Sequence, residues 1–480
     1  MNDTVVRVER IRIENFKNVE RGELSFSNPR RPGGASVLGL YGKNGTGKSA
    51  LVDVLEIVQQ CLCGRRLEQR FARYINVDAS HSRIECEFSI SHPEEDKRDS
   101  VIYAFSIKGE EDDSARSDGA ADGEGDSRML SLRVFDEVLR LRAEGSAWHM
   151  RLTTLIDTSD GPVFGNAAKR RMLVGPDAED EIELAVEKRL AYRESRSFVF
   201  SPALIRAMRS KQKGDAEPSE IPKAALRAIE RLGLFGRFEF FVMNTLASGM
   251  PALGALPFPF RYKTGEGKVV GIAMIPMGEV SVVTDEIYVT VVPAIDRMNI
   301  VLRQLLPGMT IGVRVFGQEL MRDGKEGKRV QLVSKRDGRE IPLSCESEGI
   351  KRIVSFLNLL ILMFNDSSVT VVIDEFDAGV FEYLLGELAS IVSEHGKGQL
   401  IFTSHNLRPL ETIDRGFIAF TTVNPRNRYW RMSNVKPSNN LRDFYYRDII
   451  LGGQEERLYE TTNNGDIEFA FMEAGVADAE

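Results

Sequence analysis

The chain has 480 residues, 42% of them hydrophobic and 28% charged, with a formal net charge of −8. That is a globular composition with room for two or three domains, and its negative balance argues against a globally basic nucleic-acid binder. No window reaches the ~18 consecutive apolar residues of a membrane span, the polar stretch Met1 to Arg10 is not a secretory signal, and Cys61, Cys63, Cys86 and Cys345 read as free thiols of a reducing, cytoplasmic setting, since Cys61-x-Cys63 is too tight for a usual zinc pair.

The first predicted element is Val5 to Ile13, "VVRVERIRI", whose apolar/polar alternation predicts a half-buried strand. A Pro/Gly-rich turn follows at Asn28 to Gly34, then the apolar strand "SVLGLYG". That strand runs into "GKNGTGKS", and Ser49 to Leu62 then has helical periodicity. The spacing G-x-x-x-x-G-K-S between a strand and a helix predicts a P-loop. In such a loop Gly42, Asn44, Gly45, Thr46 and Gly47 wrap phosphate with backbone N–H groups. Lys48 reaches the outer phosphates, and the Ser49 oxygen serves a magnesium ion.

Ile84 to Ile90 and Val101 to Ile107 read as paired antiparallel strands, and strands resume from Leu130 to Leu141. Lys108 to Arg128 is acidic, Gly/Ser-rich and almost free of bulky apolar residues, which predicts a flexible loop. Residues 1–145 thus form an N-terminal lobe. Residues 146–284 read as a helical or mixed insertion, with helices over Ile182 to Phe200 and Pro222 to Gly233. Arg206 to Glu220 between them is expected to be a mobile, partly basic connection. Glu286 to Leu306 predicts a helix kinked or started near Pro293. "MTIGVRVFGQEL" and "KRVQLVSK" predict a hairpin turning at Asp323-Gly324.

The partners of the P-loop are expected in a C-terminal lobe, residues 285–425. Ser367 to Glu375, "SSVTVVIDE", predicts a buried parallel strand that delivers two carboxylates at its C-terminal edge. Asp374 is then a magnesium ligand opposite Ser49, and Glu375 the group that orients and deprotonates water. Gly379 to Ser393 reads as a helix, and Gln399 to Asn406, "QLIFTSHN", as another core strand. His405 at its end is suited to sense a γ-phosphate. Upstream, "SCESEGIKRIVSFLNLLILMF" opens a long apolar helix. Ser347 is there either a plain N-cap or, with Gly349, an anion grip. Lys351 and Arg352 in the first turns oppose the helix dipole, a conflict that a phosphate from outside would resolve.

Together "IRIENFKN", "GKNGTGKS", "SEGIKR", "VVIDE" and "TSHN", in this order, resemble the ABC-type ATPase head shared by SMC proteins, RecF and OLD-type nucleases. The resemblance covers roughly residues 1–110 and 285–425. It implies an α/β head with a mixed or parallel core sheet flanked by helices, an antiparallel β lobe and an insertion. It implies ATP and Mg2+ as cofactors, hydrolysis with Glu375 and His405, and a homodimer or higher oligomer that sandwiches ATP. Ser347 and Gly349 would then meet the nucleotide of a partner subunit, Asp377 would lie in the dimer-facing D-loop, and Lys17 would lie near the nucleotide. The sequence departs from the family in its degenerate signature and its lack of a sustained coiled coil. The family's Q-loop glutamine has only the candidates Gln59, Gln60 and Gln69.

The tail, 426–480, is too short for a Toprim domain and reads as a partner or oligomer contact, with Phe444, Tyr445 and Tyr446 interleaved with Arg442 and Arg447. "NNLRDFYYRDIILGGQEERLYE" with "DEFDAGVFEYLLGEL" is similar to AriA-type ATPases of the PARIS anti-phage system, and PtuA-type ATPases are similar as well. That resemblance implies an oligomeric scaffold and sensor that controls a separate Toprim-type nuclease in anti-phage defence. The alternative it leaves open is a RecF-like repair ATPase that clamps DNA.

Overall fold

The computed structural model describes residues 4–27, 35–92, 97–111, 130–145, 148–214, 219–244, 255–264, 267–277, 280–321, 324, 326–432, 440–451, 456–458 and 463–476. It is a mixed α/β fold, as the sequence leads one to expect. A six-stranded core sheet runs in the order Tyr429–Trp430, Ile418–Thr421, Ser36–Tyr41, Gln399–Thr403, Thr370–Ile373, Phe240–Met243. All are parallel except Tyr429–Trp430. These strands are short and almost wholly apolar because helices and a second sheet cover both faces. Alternation sorts their side chains: Leu38, Leu40, Val372 and Ile401 enter one buried cluster, and Val37, Val371, Ile373, Leu400 and Phe402 the other. Each such side chain, fully buried, contributes about 1.5–3 kcal/mol.

The second sheet is antiparallel, in the order Val19–Ser25, Val5–Phe16, Ser82–His92, Lys97–Glu111, Leu130–Glu144, His149–Asp157. The strand expected at Val5 to Ile13 runs on to Phe16, with Val6, Val8, Ile11 and Ile13 fully buried and the alternation interrupted by a register shift between Val8 and Arg10. Gln399 joins this sheet to the core. Its amide accepts from Val8 N at 2.8 Å and donates to Val8 O at 2.9 Å. The two sheets therefore do not slide against one another without breaking a buried pair of hydrogen bonds.

Several expectations change. Lys108 to Glu111 are not loop but the end of the strand Lys97–Glu111, while 112–129, the rest of the acidic segment, lies outside the described residues. Arg206 to Gly214 are not a mobile connection but part of the helix Pro202–Gly214, whose Ala203, Leu204 and Met208 are buried. Residues 215–218 lie outside the described residues. Strand His149–Asp157 closes the antiparallel sheet, Phe240–Met243 joins the core sheet and Ser281–Thr284 pairs with Glu326–Arg336, so 146–284 is woven into the flanking sheets at three places. The helix Asp285–Leu305 runs on through Pro293 instead of starting there, with Thr284 capping it. Strands Met309–Leu320 and Glu326–Arg336 pair as expected; Asp323, in their expected turn, lies outside the described residues. The helix expected from Gly379 begins at Glu382, because Gly379 takes a left-handed φ of 71°.

Candidate functional site

The core strand Ser36–Tyr41 ends at a loop whose glycines take backbone angles that L-residues avoid: Gly42 φ 153°, Gly45 φ 77°, Gly47 φ 94°. The helix Lys48–Leu62 follows Gly47 with no side-chain cap, so its opening N–H groups are left for a ligand. The loop is supported from both ends of the chain. Thr46 Oγ1 bonds to Lys43 O at 2.6 Å and lies 2.5 Å from Thr421 Oγ1. Tyr429 donates its hydroxyl to Gly47 O at 3.0 Å, and the Asn18 amide donates to Gly45 O. Arg428 bridges these supports, donating to Thr422 O at 2.7 Å and to Asn18 O. The segment behind the loop is fastened in turn by Glu456, 2.8 Å from Asn427 Nδ2, and by Val423 N, which donates to Arg457 O at 2.9 Å.

In front of the loop lies a cavity of about 620 Å³. Asn44, Gly45, Gly47, Lys48 and Ser49 line it, as do Asp374, Glu375 and His405. The sheet order explains the meeting: Ser36–Tyr41 pairs with Gln399–Thr403, which pairs with Thr370–Ile373, so all three strands end at one edge. Gly42 and Thr46 do not line the cavity; within the loop they face Thr421. Ser347 and Gly349 do not line the cavity. Lys17 does, and it also pairs with Asp53 and lies 4.0 Å above the Tyr74 ring.

Lys48 donates Nζ to Gly42 O at 2.7 Å and to Lys43 O at 3.1 Å. Burial lowers its pKa, against the opposing pull of Asp374, Asp377 and Glu375. Asp374 is 1% exposed, and its Oδ1 accepts from Thr403 Oγ1 at 2.5 Å. Glu375 has a left-handed φ of 50°, rare for a non-glycine residue and met most often at functional sites. Its N–H donates to Thr403 Oγ1 at 2.8 Å. The exposed His405 ring borders the cavity, and its loop is fixed by Asp377, whose Oδ2 accepts from His405 N at 3.0 Å and Asn406 N at 2.9 Å. Asp377, expected to face a partner, thus braces the histidine loop of its own chain.

None of the three glutamine candidates lines the cavity. Gln59 donates to Gly236 O at 2.9 Å, Gln60 to Glu56 and Glu68, and Gln69 Oε1 accepts from Leu132 N at 2.8 Å. Register places a different amide at the edge. Met243 pairs with Ile373, so the buried Asn244 stands beside Asp374. Its amide donates to Glu56, which also pairs with Arg70 at 2.7 Å. Burial pushes the carboxyls of Glu56 and Asp53 up, and Arg70 and Lys17 respectively lead the opposing pull.

The helix end carrying Ser347 has a plain cap, with Ile350 N donating to Ser347 Oγ at 3.4 Å. The two cations after it have partners within the chain. Lys351 pairs with Glu348 at 2.5 Å. Arg352 donates Nη2 to Asp374 O at 2.7 Å and to Glu375 O at 3.2 Å.

Among the described residues no group of three or more His, Cys, Asp and Glu forms a metal cage. The donors that do converge, the Ser49 hydroxyl and the Asp374 carboxylate, suit a magnesium ion, which binds through one or two carboxylates and takes its other ligands from water and phosphate.

Among solved structures, the chain is similar to the Smc head domain with an extended coiled coil bound to the C-terminal domain of ScpA from Pyrococcus furiosus. The two are 14% identical over 89% of this chain and 96% of that one, with a TM-score of 0.39. It is similar to the SMC head domain from Thermotoga maritima at 14% identity, over 89% and 99%, with a TM-score of 0.36. It is similar to the recombination mediator protein RecF with ATPrS at 10% identity, over 89% and 99%, with a TM-score of 0.34. No protein-family model and no curated protein matches the chain. Similarity at this level does not assign the chain to a family.

Proposed function

We propose that this chain is an ABC-type ATPase that binds ATP with Mg2+ and hydrolyses it to ADP and phosphate. One observation carries the reading: Lys48 and Ser49, Asp374 and Glu375, and His405 border a single cavity although most of the sequence separates the first pair from the rest. The N–H groups of the loop and the Lys48 ammonium take the phosphates. Ser49 and Asp374 hold the magnesium, which when bound offsets the charge of the phosphate oxygens. Thr403 orients Asp374 on one side and the Glu375 backbone on the other. The Glu375 carboxylate takes a proton from water as its oxygen bonds to the γ-phosphorus and the bond to the ADP oxygen breaks. His405 hydrogen-bonds the γ-phosphate and reports it to the loop that Asp377 braces.

The finer reading concerns what the cycle drives. The protein acts in the cytoplasm as a homodimer or higher homo-oligomer through an ATP sandwich. It controls a separate effector, a Toprim-type nuclease, in anti-phage defence. Support comes from the exposed faces available for contact: Ser347 at its helix end, Phe381 at 72% exposure beside the acidic loop, and the tail helix Asn464–Val476 with Phe469 and Phe471 exposed. The test is magnesium-dependent phosphate release by the purified chain, repeated with Glu375→Gln and with a candidate nuclease. Turnover lost in Glu375→Gln and nuclease retained on the column support the reading. Salt-dependent DNA binding that requires ATP would replace the effector role with a DNA clamp.

A further inference from the structure

Arg352 is the cation that the sequence made conspicuous, and the site as described gives it no function. It lies in the first turns of the helix Glu348–Asn365, is 4% exposed, and donates from one nitrogen to two consecutive carbonyls, Asp374 O and Glu375 O. Those carbonyls belong to the peptides on either side of the Glu375 α-carbon. The N–H of Glu375 is taken by Thr403 at 2.8 Å. Every backbone polar group that sets the left-handed turn at Glu375 is therefore held: N–H by Thr403, and the two carbonyls by Arg352. A residue strained in this way keeps its geometry only where its surroundings over-determine it.

The same helix touches the acidic loop twice more. Gly349 lies so close to Gly379 that a Cβ on it would stand 2.1 Å from Gly379 O. One turn beyond Arg352, Phe356 packs edge-on against Phe376 at 5.0 Å. The start of this helix and the segment from Asp374 to Gly379 are thus packed together at three points. Arg352 also carries more donors than it uses. Nε and Nη1 are buried and have no protein partner among the described residues, and neither does the neighbouring Asp377 Oδ1. Burial disfavours the Arg352 charge, against the opposing pull of Glu375, Asp374 and Asp377.

We infer that Arg352 is a positioning residue: it fixes the backbone turn that aims the Glu375 carboxylate, and so ties the exposed Ser347–Gly349 helix start to the group that deprotonates water. Pressure on that helix start from a nucleotide-bearing second copy passes through Arg352 to Glu375 with no change at the P-loop. The inference rests on the ATPase reading above and extends it to the route by which assembly governs turnover.

The test uses the full chain with Mg-ATP and follows steady-state phosphate release. Arg352→Lys keeps a charge, but its shorter side chain withdraws the single nitrogen that bridges both carbonyls. It is expected to lower kcat about 100-fold, the scale of an ångström-sized misplacement, while KM changes by less than about twofold. Adding Arg352→Lys to Glu375→Gln should slow turnover no further, because the two act as one unit. A rise in KM at constant kcat, or an additive double variant, overturns the inference. Should Arg352→Lys fail to melt cooperatively, Gly349→Ala decides in its place: it leaves Arg352 intact but pushes the helix start off Gly379, and an unchanged kcat there overturns the inference. Wild-type protein that does not turn over ATP would sink the ATPase reading itself. Wild-type turnover that Glu375→Gln removes and Arg352→Lys leaves untouched would sink only the role of Arg352.

Discussion

Two helices of this chain start beside the same acidic loop, and their starts are built in opposite ways. Lys48–Leu62 begins after a left-handed glycine, has no side-chain cap and opens into the cavity. Glu348–Asn365 begins after Ser347, whose hydroxyl already accepts from Ile350 N, and its first residues rest on Gly379 outside the cavity. Both ends carry the positive pole of a helix dipole. The first leaves its opening N–H groups uncapped beside the cavity, because glycines curl the preceding chain back over them. In the second, Ser347 Oγ takes the Ile350 N–H and Gly349 packs on Gly379. Dipole alone does not make a phosphate site; the capping residue decides whether donors remain.

That contrast is open to experiment, and the largest effect is expected at Glu375. Glu375→Gln should reduce phosphate release by about 10²- to 10⁴-fold, the usual contribution of a general base, with nucleotide affinity in a fluorescent-nucleotide titration unchanged. Lys48→Ala should weaken that affinity by about 10- to 100-fold, the loss of a charge-assisted bond to phosphate. Gly42→Ala places a methyl 1.8 Å from Thr421 Oγ1 and should lower stability by about 1–3 kcal/mol in denaturant unfolding. Ser347→Ala should lower stability by about 0.5–2 kcal/mol, the value of an N-cap, with nucleotide affinity of the single subunit unaltered. If Ser347→Ala weakened binding by the dilute single subunit as much as Lys48→Ala, the two helix starts would not differ as described.

The loop, the Asp374–Glu375 strand end and His405 could all be read from sequence because each is a short run of apolar residues ending in chemistry, and short apolar runs between turn signals mark core strands. What escaped notice depends on bonds between distant side chains. Asn244 ends a four-residue strand, too short for any periodicity, and its place beside Asp374 exists only through pairing with Thr370–Ile373. Thr403 belongs to "QLIFTSHN", but nothing local shows that its hydroxyl serves both Asp374 and Glu375. Arg352 was legible as an anomaly; its partners are two backbone carbonyls, which leave no trace in side-chain patterns. The helix Pro202–Gly214 is hard to read because its exposed face is basic and polar, although Ala203, Leu204 and Met208 are buried and Ile205 and Ala207 pack beside them.

The bonds from Glu456 and Arg457 to the segment behind the P-loop have a practical consequence. A fragment cut at 450 would keep every residue that lines the cavity, yet Asn424 and Asn427 would lose their carboxylate partner, and Leu458, 1% exposed, would no longer be there to pack. The strut under Gly47 would slacken from behind. The smallest working unit of this molecule is therefore longer than its catalytic vocabulary, and trimming to the recognisable part would produce a nucleotide loop without its backing.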